Sequence, residues 1–497
     1  MSRILIAIGL LQVLLTLVGL ARSKALAVML SPSGFGIVAT IDQLVMVLMQ
    51  LGGLGLSFVA LRFMARAHAE GPDALRLVGA GFGRLIALCA SLTALIAIVL
   101  VQIWPSVIGV ELAPYGLALK LAIVGVPALM LGAFAVNMLA AVGRPLAAAG
   151  LNLVAVGAAA IGAVLGAAMG GLDALYLGVA LSGVVVIAIA AATLSRTLGV
   201  HWLAGAGGSA HLRGLRRDVT ANAMSVYSVM VVYAGSLFAV RLAVLVSLGE
   251  ASVGVMQAGM SLALTVGGVL AALGNLYFVP MLNRQPDVAS MRATADRYAL
   301  QMLLVLLVGA MPILLVPDLV IALLYTRAFA PAAAVLFILM IWQCLAQLTY
   351  VYQQLLMALD DTGAVAGLGL LGFGGGAVFT ALLAPRFGLT GAASGLALGM
   401  VVYAAAIALR LALKHRITVG TAVALRLAWI LSVIACAGLL FRGGEPFSIQ
   451  GMTLRVGFTT AVLAMTVVLF LRHGAANAIS AFRQGRLRTL LRLRQDP

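Results

Sequence analysis

Four side chains stand where a charge is hardest to keep. Arg22, Lys24, Asp42 and Arg241 each interrupt a long apolar run. In hydrocarbon an ionised group needs a partner, water or a ligand, so these residues are the first candidates for chemistry. Arg84, Lys120 and Arg426 also interrupt such runs, but each lies within about two turns of a run's end, where its head can snorkel to the interface. Arg22 falls about 27 Å along a helix that begins at Ile4, and the run continues apolar from Ala25 to Leu30. Residues two apart on a helix point about 200° apart, so Arg22 and Lys24 face one cavity together only if the helix breaks near Ser23. Arg22 is the favoured member of the pair. Guanidinium groups in a hydrated interior suit a phosphate or pyrophosphate, whose oxygens the planar fork binds bidentately. The plainer reading stands beside it: Arg22 or Arg241 caps carbonyls at a helix end or pairs with Asp42. Asp42, with Gln43 beside it and Gln50 further along, can neutralise a cation while substrate is absent, or take up a proton.

The elements that must carry these residues follow from composition. Of 497 residues 64% are hydrophobic and 9% charged, and the mean hydropathy is +1.17. Such a chain is a polytopic membrane protein. Its apolar runs are continuous rather than alternating, which selects helices over a barrel. At about 20 residues per span there are about fourteen: roughly 4-30, 36-61, 79-103, 116-141, 146-168, 172-194, 220-248, 254-280, 299-325, 332-359, 363-384, 389-412, 421-441 and 453-471. The first run lacks a small-residue cleavage site and reads as a span, not a removed leader.

The net charge of +17 is distributed by side, which argues against nucleic acid as a partner. Arg62, Arg66 and Arg76, then Arg196, Arg213, Arg216 and Arg217, then Arg284, Arg292 and Arg297, then Arg410, Lys414 and Arg416 all fall in connections on one side. The opposite connections carry Glu111, Asp173, Glu250 and Glu445, with Arg327, Arg386 and Arg442 as exceptions. The positive-inside rule places both termini in the cytoplasm. The tail from Arg472 to Pro497, with Arg483, Arg486, Arg488, Arg492 and Arg494 among leucines, reads either as an amphipathic helix on anionic membrane lipid or as a solvated, topology-setting tail. Cys89, Cys344 and Cys436 have no metal or redox spacing and read as packing residues.

An internal repeat joins the candidate residues. Leu30-Ser31-Pro32-Ser33-Gly34-Phe35-Gly36 closes one run and Leu248-Gly249-Glu250-Ala251-Ser252-Val253-Gly254 another, at 254 − 36 = 218 positions. Gly171-Leu172-Asp173 recurs as Gly388-Leu389-Thr390 at 388 − 171 = 217, and Gly143-Arg144-Pro145 loosely as Asp360-Asp361-Thr362. Arg241 then lies opposite Ser23, between the two first-half cations, since 241 − 218 = 23. Duplicated lobes facing a central site are a transporter plan.

The stretch Ala21-Arg22-Ser23-Lys24-Ala25-Leu26-Ala27 through Gly36, followed by Leu51-Gly52-Gly53-Leu54-Gly55-Leu56 and Ala60-Leu61-Arg62-Phe63, resembles the opening of the bacterial polysaccharide-transport flippases. These are the O-antigen and exopolysaccharide, Wzx-like, branch of the multidrug/oligosaccharidyl-lipid/polysaccharide (MOP) exporter superfamily. Tyr325-Thr326-Arg327-Ala328-Phe329-Ala330-Pro331 and Pro385-Arg386-Phe387-Gly388-Leu389-Thr390-Gly391 are similar to its second-lobe phrasing, and the resemblance covers nearly the whole chain. It implies an all-α fold with two pseudo-symmetric six-helix lobes in a V, 1-218 and 219-418, followed by 419-497 with two more helices and a basic cytoplasmic tail. It implies the bacterial inner membrane as location. It also implies translocation of an undecaprenyl-pyrophosphate-linked oligosaccharide for polysaccharide biosynthesis, with a polymerase or chain-length regulator as a further partner. The related lipid-linked peptidoglycan-precursor flippases use first-helix arginines, to which Arg22 corresponds, and an eighth-helix or neighbouring cation, to which Arg241 corresponds approximately. Many members carry an acidic residue near the position of Arg241, so this departure leaves proton or sodium coupling open.

Carrying a pyrophosphate-sugar headgroup through hydrocarbon would leave its polar groups unsatisfied at several kcal/mol each, a cost that a hydrated cationic cavity removes. The isoprenoid tail can stay in lipid while the lobes rock, with Gly52-Gly53-Leu54-Gly55 and Gly372-Phe373-Gly374-Gly375-Gly376 serving as hinges or, more simply, as packing surfaces. A membrane glycosyltransferase or polymerase would need a larger loop than the connection from Ile103 to Tyr115. A multidrug exporter of the same superfamily would be expected to rely on buried carboxylates. No P-loop, HExxH or GxSxG is present, and no motif calls for a cofactor or metal.

Overall fold

A computed structural model describes residues 2–104, 109–199, 216–441 and 448–483. Arg213, Arg442, Glu445 and the tail arginines Arg486, Arg488, Arg492 and Arg494 lie outside the described residues. Every regular element among the described residues is helical. In a bilayer this is the self-satisfying choice for a backbone with continuous apolar runs.

The spanning helices are α1 (2–30), α2 (32–53), α3 (Pro72–Ile103), α4 (Gly116–Ala141), α5 (145–169), α6 (172–198), α7 (Arg216–Leu248), α8 (Glu250–Leu273), α9 (Val288–Leu315), α10 (Ala332–Ala358), α11 (362–387), α12 (389–415), α13 (Thr421–Phe441) and α14 (Ile449–Arg483). They match the fourteen expected spans in order. Several boundaries differ: the second span, expected to reach residue 61, breaks at Leu54 and Gly55 before a separate helix, Leu56–Glu70, the ninth begins at Val288 rather than 299, and the fourteenth runs to Arg483 rather than 471. The ninth span, expected to reach residue 325, stops at Leu315, because Pro317 starts a separate helix, Pro317–Leu324. The eighth, expected to reach 280, gives way to a π-helical turn at Gly274–Phe278.

Single left-handed residues mark the breaks and ends of the helices. At one end of the bundle these are Ser31 (φ 59), Gly171 (φ 70), Gly249 (φ 82) and Gly388 (φ 62). At the other they are Gly143 (φ 76), Gly199 (φ 64), Asp360 (φ 57) and Arg416 (φ 56). Pairing Ser31 with Gly249, Gly143 with Asp360, Gly171 with Gly388 and Gly199 with Arg416 gives offsets of 217 or 218 throughout, so the repeat is a repeat of backbone breaks. Pro32 follows Ser31 at the first turn of α2, where its missing N–H costs no helical bond. Arg76, Arg144, Arg196, Arg292, Arg410 and Lys414 all lie towards the Arg416 end.

Close contacts between small residues hold the hairpins. A Cβ on Gly178 would overlap the Gly162 carbonyl across α5 and α6, and one on Gly399 would overlap Gly376 across α11 and α12. The two halves use the same device on each other. A Cβ on Gly36 would overlap the Glu250 carbonyl, and one on Gly254 the Pro32 carbonyl. Since Gly36 and Gly254 hold matching places in the repeat, the internal two-fold relation passes between them. Around that contact Phe35 packs edge-on against Tyr325 and Phe329 at 6.0 and 5.6 Å, and the Tyr115 hydroxyl donates to Glu250 at 2.7 Å. Burial and that carboxylate push the Tyr115 hydroxyl up to about 12.

The last two helices lean on the second half. Arg455 of α14 donates to the Leu315 carbonyl, at the negative end of the α9 dipole, and lies 5.0 Å over the Phe441 ring. Arg426, expected to snorkel, is only 6% exposed, because α13 packs against α9 and α10 there.

Candidate functional site

A helical hairpin brings together residues roughly equidistant from its turn, and this rule assembles the site. Arg22 and Asp42 lie nine residues before and eleven after Ser31, and Arg241 and Gln257 lie eight to either side of Gly249. All four therefore sit about 12 to 16 Å below the Ser31 end, near mid-membrane. Arg22 Nη2 donates to Asp42 Oδ2 at 2.9 Å, with the two side chains 29% and 37% exposed. The Tyr176 hydroxyl, from α6, lies 3.1 Å from both Asp42 Oδ1 and the Val38 carbonyl.

Arg241 is more enclosed, at 7% exposure. Its Nη1 donates to Gln43 Oε1 at 2.8 Å and its Nη2 to Gln257 Oε1 at 2.7 Å. Each glutamine is oriented by its own amide N–H, Gln43 towards the Ala234 carbonyl at 3.1 Å and Gln257 towards Ser261 Oγ at 3.1 Å. Asp42 and Gln43 are consecutive on α2 and point about 100° apart, so one helix presents its carboxylate to the arginine of its own half and its amide to the arginine of the other. The Nε atoms of both arginines are buried without a hydrogen-bond partner.

Charge is unbalanced in this hydrogen-bonded cluster. Two guanidinium groups share one carboxylate, and the amides around Arg241 supply dipoles but no counter-charge. A surplus positive charge at mid-membrane is costly to keep and is reduced when an anion enters. Such an arrangement can bind, exchange and release an anionic oxygen-rich group.

Lys24 does not join the cluster. Helix α1 runs unbroken through Ser23 and turns only at Ser31, so Arg22 and Lys24 diverge. Lys24 Nζ donates to the Leu323 carbonyl in the last turn of Pro317–Leu324, a helix end that favours a cation. This ties α1 to the second half. Tyr176, Gln257 and Ser261 were not anticipated from the sequence. Gln257 was findable, since it mirrors Arg241 across Gly249.

A second ionic cluster sits at the Arg416 end. Asp361 is 5% exposed and accepts from Arg410 Nε at 2.8 Å and Nη2 at 3.0 Å and from Lys414 Nζ at 2.8 Å, with His415 Nε2 at 3.2 Å. The hydrogen bond from Arg410, helped by those of Lys414 and His415, holds the Asp361 carboxyl well below the usual carboxylate range.

No known family profile and no curated protein sequence matches the chain. Solved structures do. The lipid II flippase MurJ, in an inward closed conformation, aligns at a TM-score of 0.70 and 10% identity, over 94% of this chain and 99% of that one. A multidrug resistance MATE family transporter of the MOP superfamily, inward-facing, aligns at 0.59 and 16%, over 85% and 95%. A MOP superfamily transporter from Pyrococcus furiosus, described by the reverse polarity of its binding pocket, aligns at 0.54 and 12%, over 87% and 94%. At such identities the likeness is one of fold. The chain has the architecture of the MOP transporters and flippases.

Proposed function

We propose that this protein is a flippase for a lipid-linked oligosaccharide, with the diphosphate of an undecaprenyl-pyrophosphate anchor held between Arg22 and Arg241. The observation that carries the proposal is the convergence of one arginine from each half on adjacent residues of α2, with one carboxylate for two cations. The lobes are residues 1-218 and 219-418, with 419-497 appended, and the Arg416 end faces the cytoplasm of a bacterial inner membrane.

In the unloaded protein Asp42 occupies Arg22. An arriving phosphate displaces that carboxylate and gains the bidentate fork, while Tyr176 keeps Asp42 oriented. Arg241, braced by Gln43 and Gln257, offers its guanidinium to the second phosphate as the halves rearrange. Release on the other side requires the Ser31-end contacts at Gly36, Gly254, Phe35, Tyr115 and Lys24 to part, so that the two halves rock about their shared axis.

The test is glycan export in cells whose only copy is the variant, at matched membrane abundance, with lipid-linked oligosaccharide quantified by mass spectrometry. Each of Arg22→Ala and Arg241→Ala removes a charge-assisted contact of about 1.5 to 3 kcal/mol and should cut export on the order of tenfold or more, with the lipid-linked precursor accumulating. Lysine at either position should restore part of it. Wild-type export by both alanine variants would refute the anionic site, and altered sensitivity to cationic drugs with normal glycan export would favour a multidrug exporter instead.

A further inference from the structure

At the Arg416 end a groove of about 510 Å³ opens between the start of α9 and the segment after α12. It is lined by Val288, Arg292, Asp296, His415, Arg416 and Ile417, among others. We propose that this groove binds the headgroup of an anionic phospholipid of the adjacent leaflet, with its phosphate between Arg292 and Arg416.

Charge is the first argument. The Asp296 carboxylate already accepts from the Tyr352 hydroxyl at 2.6 Å and lies 3.8 Å from Arg292 Nε, and His415 is held by Asp361. Beyond its loose ion pair with Asp296, Arg292 makes a long bond to Thr418 Oγ1, at 3.3 Å, from its Nη2. Arg416 is exposed; its backbone N–H caps α12 at the Leu411 carbonyl, and its guanidinium makes no hydrogen bond or ion pair among the described residues. Counting Arg292, Arg416 and Asp296, the groove is net cationic.

Comparison with the first half is the second. Arg416 has a left-handed backbone, φ 56, which a non-glycine residue adopts at a cost of about 1 to 2 kcal/mol. Its counterpart in the repeat is Gly199, and there the guanidinium of Arg76, itself paired with Asp73, comes within 2.9 Å of where a Cβ would be. The first half thus fills this place with its own ion pair. In the second half the equivalent helix end carries an arginine against an open groove.

Position selects a lipid over a soluble anion. The groove lies at the mouth of the bundle, with Val288 and Ile417 in its wall. Below it Leu409 and Leu413 are 58% and 75% exposed and, four residues apart, form an apolar stripe on the last two turns of α12, which ends at His415, so Arg416 stands just beyond the end of that stripe. An acyl chain on that stripe puts its phosphate at Arg416. The chain's own tail is excluded as occupant by its like charge.

The test uses the full-length protein in a neutral detergent, with its unfolding midpoint followed as phosphatidylglycerol, phosphatidylcholine or inorganic phosphate is added. Phosphatidylglycerol should raise the midpoint of the wild type, and the other two should not. Arg416→Gly, which installs the first half's residue and relieves the backbone, should be at least as stable without lipid. It should nevertheless bind phosphatidylglycerol about fivefold more weakly, the effect of one interfacial cation. Arg292→Gln should act in the same direction, and Arg196→Gln, on the same end of the first half, should leave the response intact. An equal response to phosphatidylcholine, a response to inorganic phosphate alone, or an unchanged response in both Arg416→Gly and Arg292→Gln would overturn the proposal.

Discussion

The two halves of this protein break their helices at the same places and do different things there. Ser31 and Gly249, Gly143 and Asp360, Gly171 and Gly388, and Gly199 and Arg416 are four matched left-handed residues. At the Arg416 end the chemistry then parts company. After Gly143 the first half has Arg144, exposed and without an ion pair among the described residues, whereas after Asp360 the second half has Asp361, gripped by Arg410, Lys414 and His415. At mid-membrane the division is similar: Arg22 has a carboxylate and partial exposure, Arg241 has two amides and almost none. Backbone geometry constrains a duplicated fold more tightly than side-chain identity does, because a hairpin fails if its turn moves, while a polar contact can be rebuilt from another residue.

The largest expected effect comes from attacking the seam where the halves are most alike. Gly36→Leu or Gly254→Leu places side-chain atoms inside the opposing backbone, so the Ser31-end contact cannot form as it stands. Overpacking of this kind costs about 1 to 3 kcal/mol, and export should fall to background. Gly157→Ala, at a position with open space around its Cβ, should retain export and stability. Normal export by both leucine variants would mean that the seam is not a working contact.

The Asp361 cluster should produce a smaller effect, confined to one half. Asp361→Asn should lower the unfolding midpoint at pH 7, whereas Arg144→Ala, its counterpart in the first half, should change stability by no more than about 0.5 kcal/mol. Because Arg410 and its neighbours hold the Asp361 carboxyl below its unfolded value of about 3.9, its contribution is complete above that pH and is lost as pH falls towards the folded value. The difference in midpoint between wild type and Asp361→Asn should therefore shrink below about pH 4. A difference that stays constant with pH would show that the cluster acts by packing alone.

The smallest effect tests the turns themselves. Gly143→Ala should destabilise by about 1 kcal/mol, since alanine resists φ 76, while Asp360→Gly should be neutral within about 0.5 kcal/mol. Equal responses at the two sites would mean that the matched turns are not held alike.

Much of this was legible in the chain. The apolar runs located fourteen spans because hydrocarbon leaves the backbone no choice but helix, and the Gly and Pro punctuation located the hairpins because few residues adopt a left-handed φ. Arg22, Asp42 and Arg241 stood out by being charged where charge is costly. Their partners were less visible. Arg22 was favoured over Lys24, but only the packing shows that Arg22 meets Asp42 while Lys24, on a helix unbroken at Ser23, turns away to the Leu323 carbonyl. Tyr176 and the grip of Asp361 on α12 were silent for the same reason. A helix fixes the angle between two of its residues but not which of them faces protein; that depends on the neighbour packed against it, and the neighbours here arrive from 16 to 299 residues away along the chain.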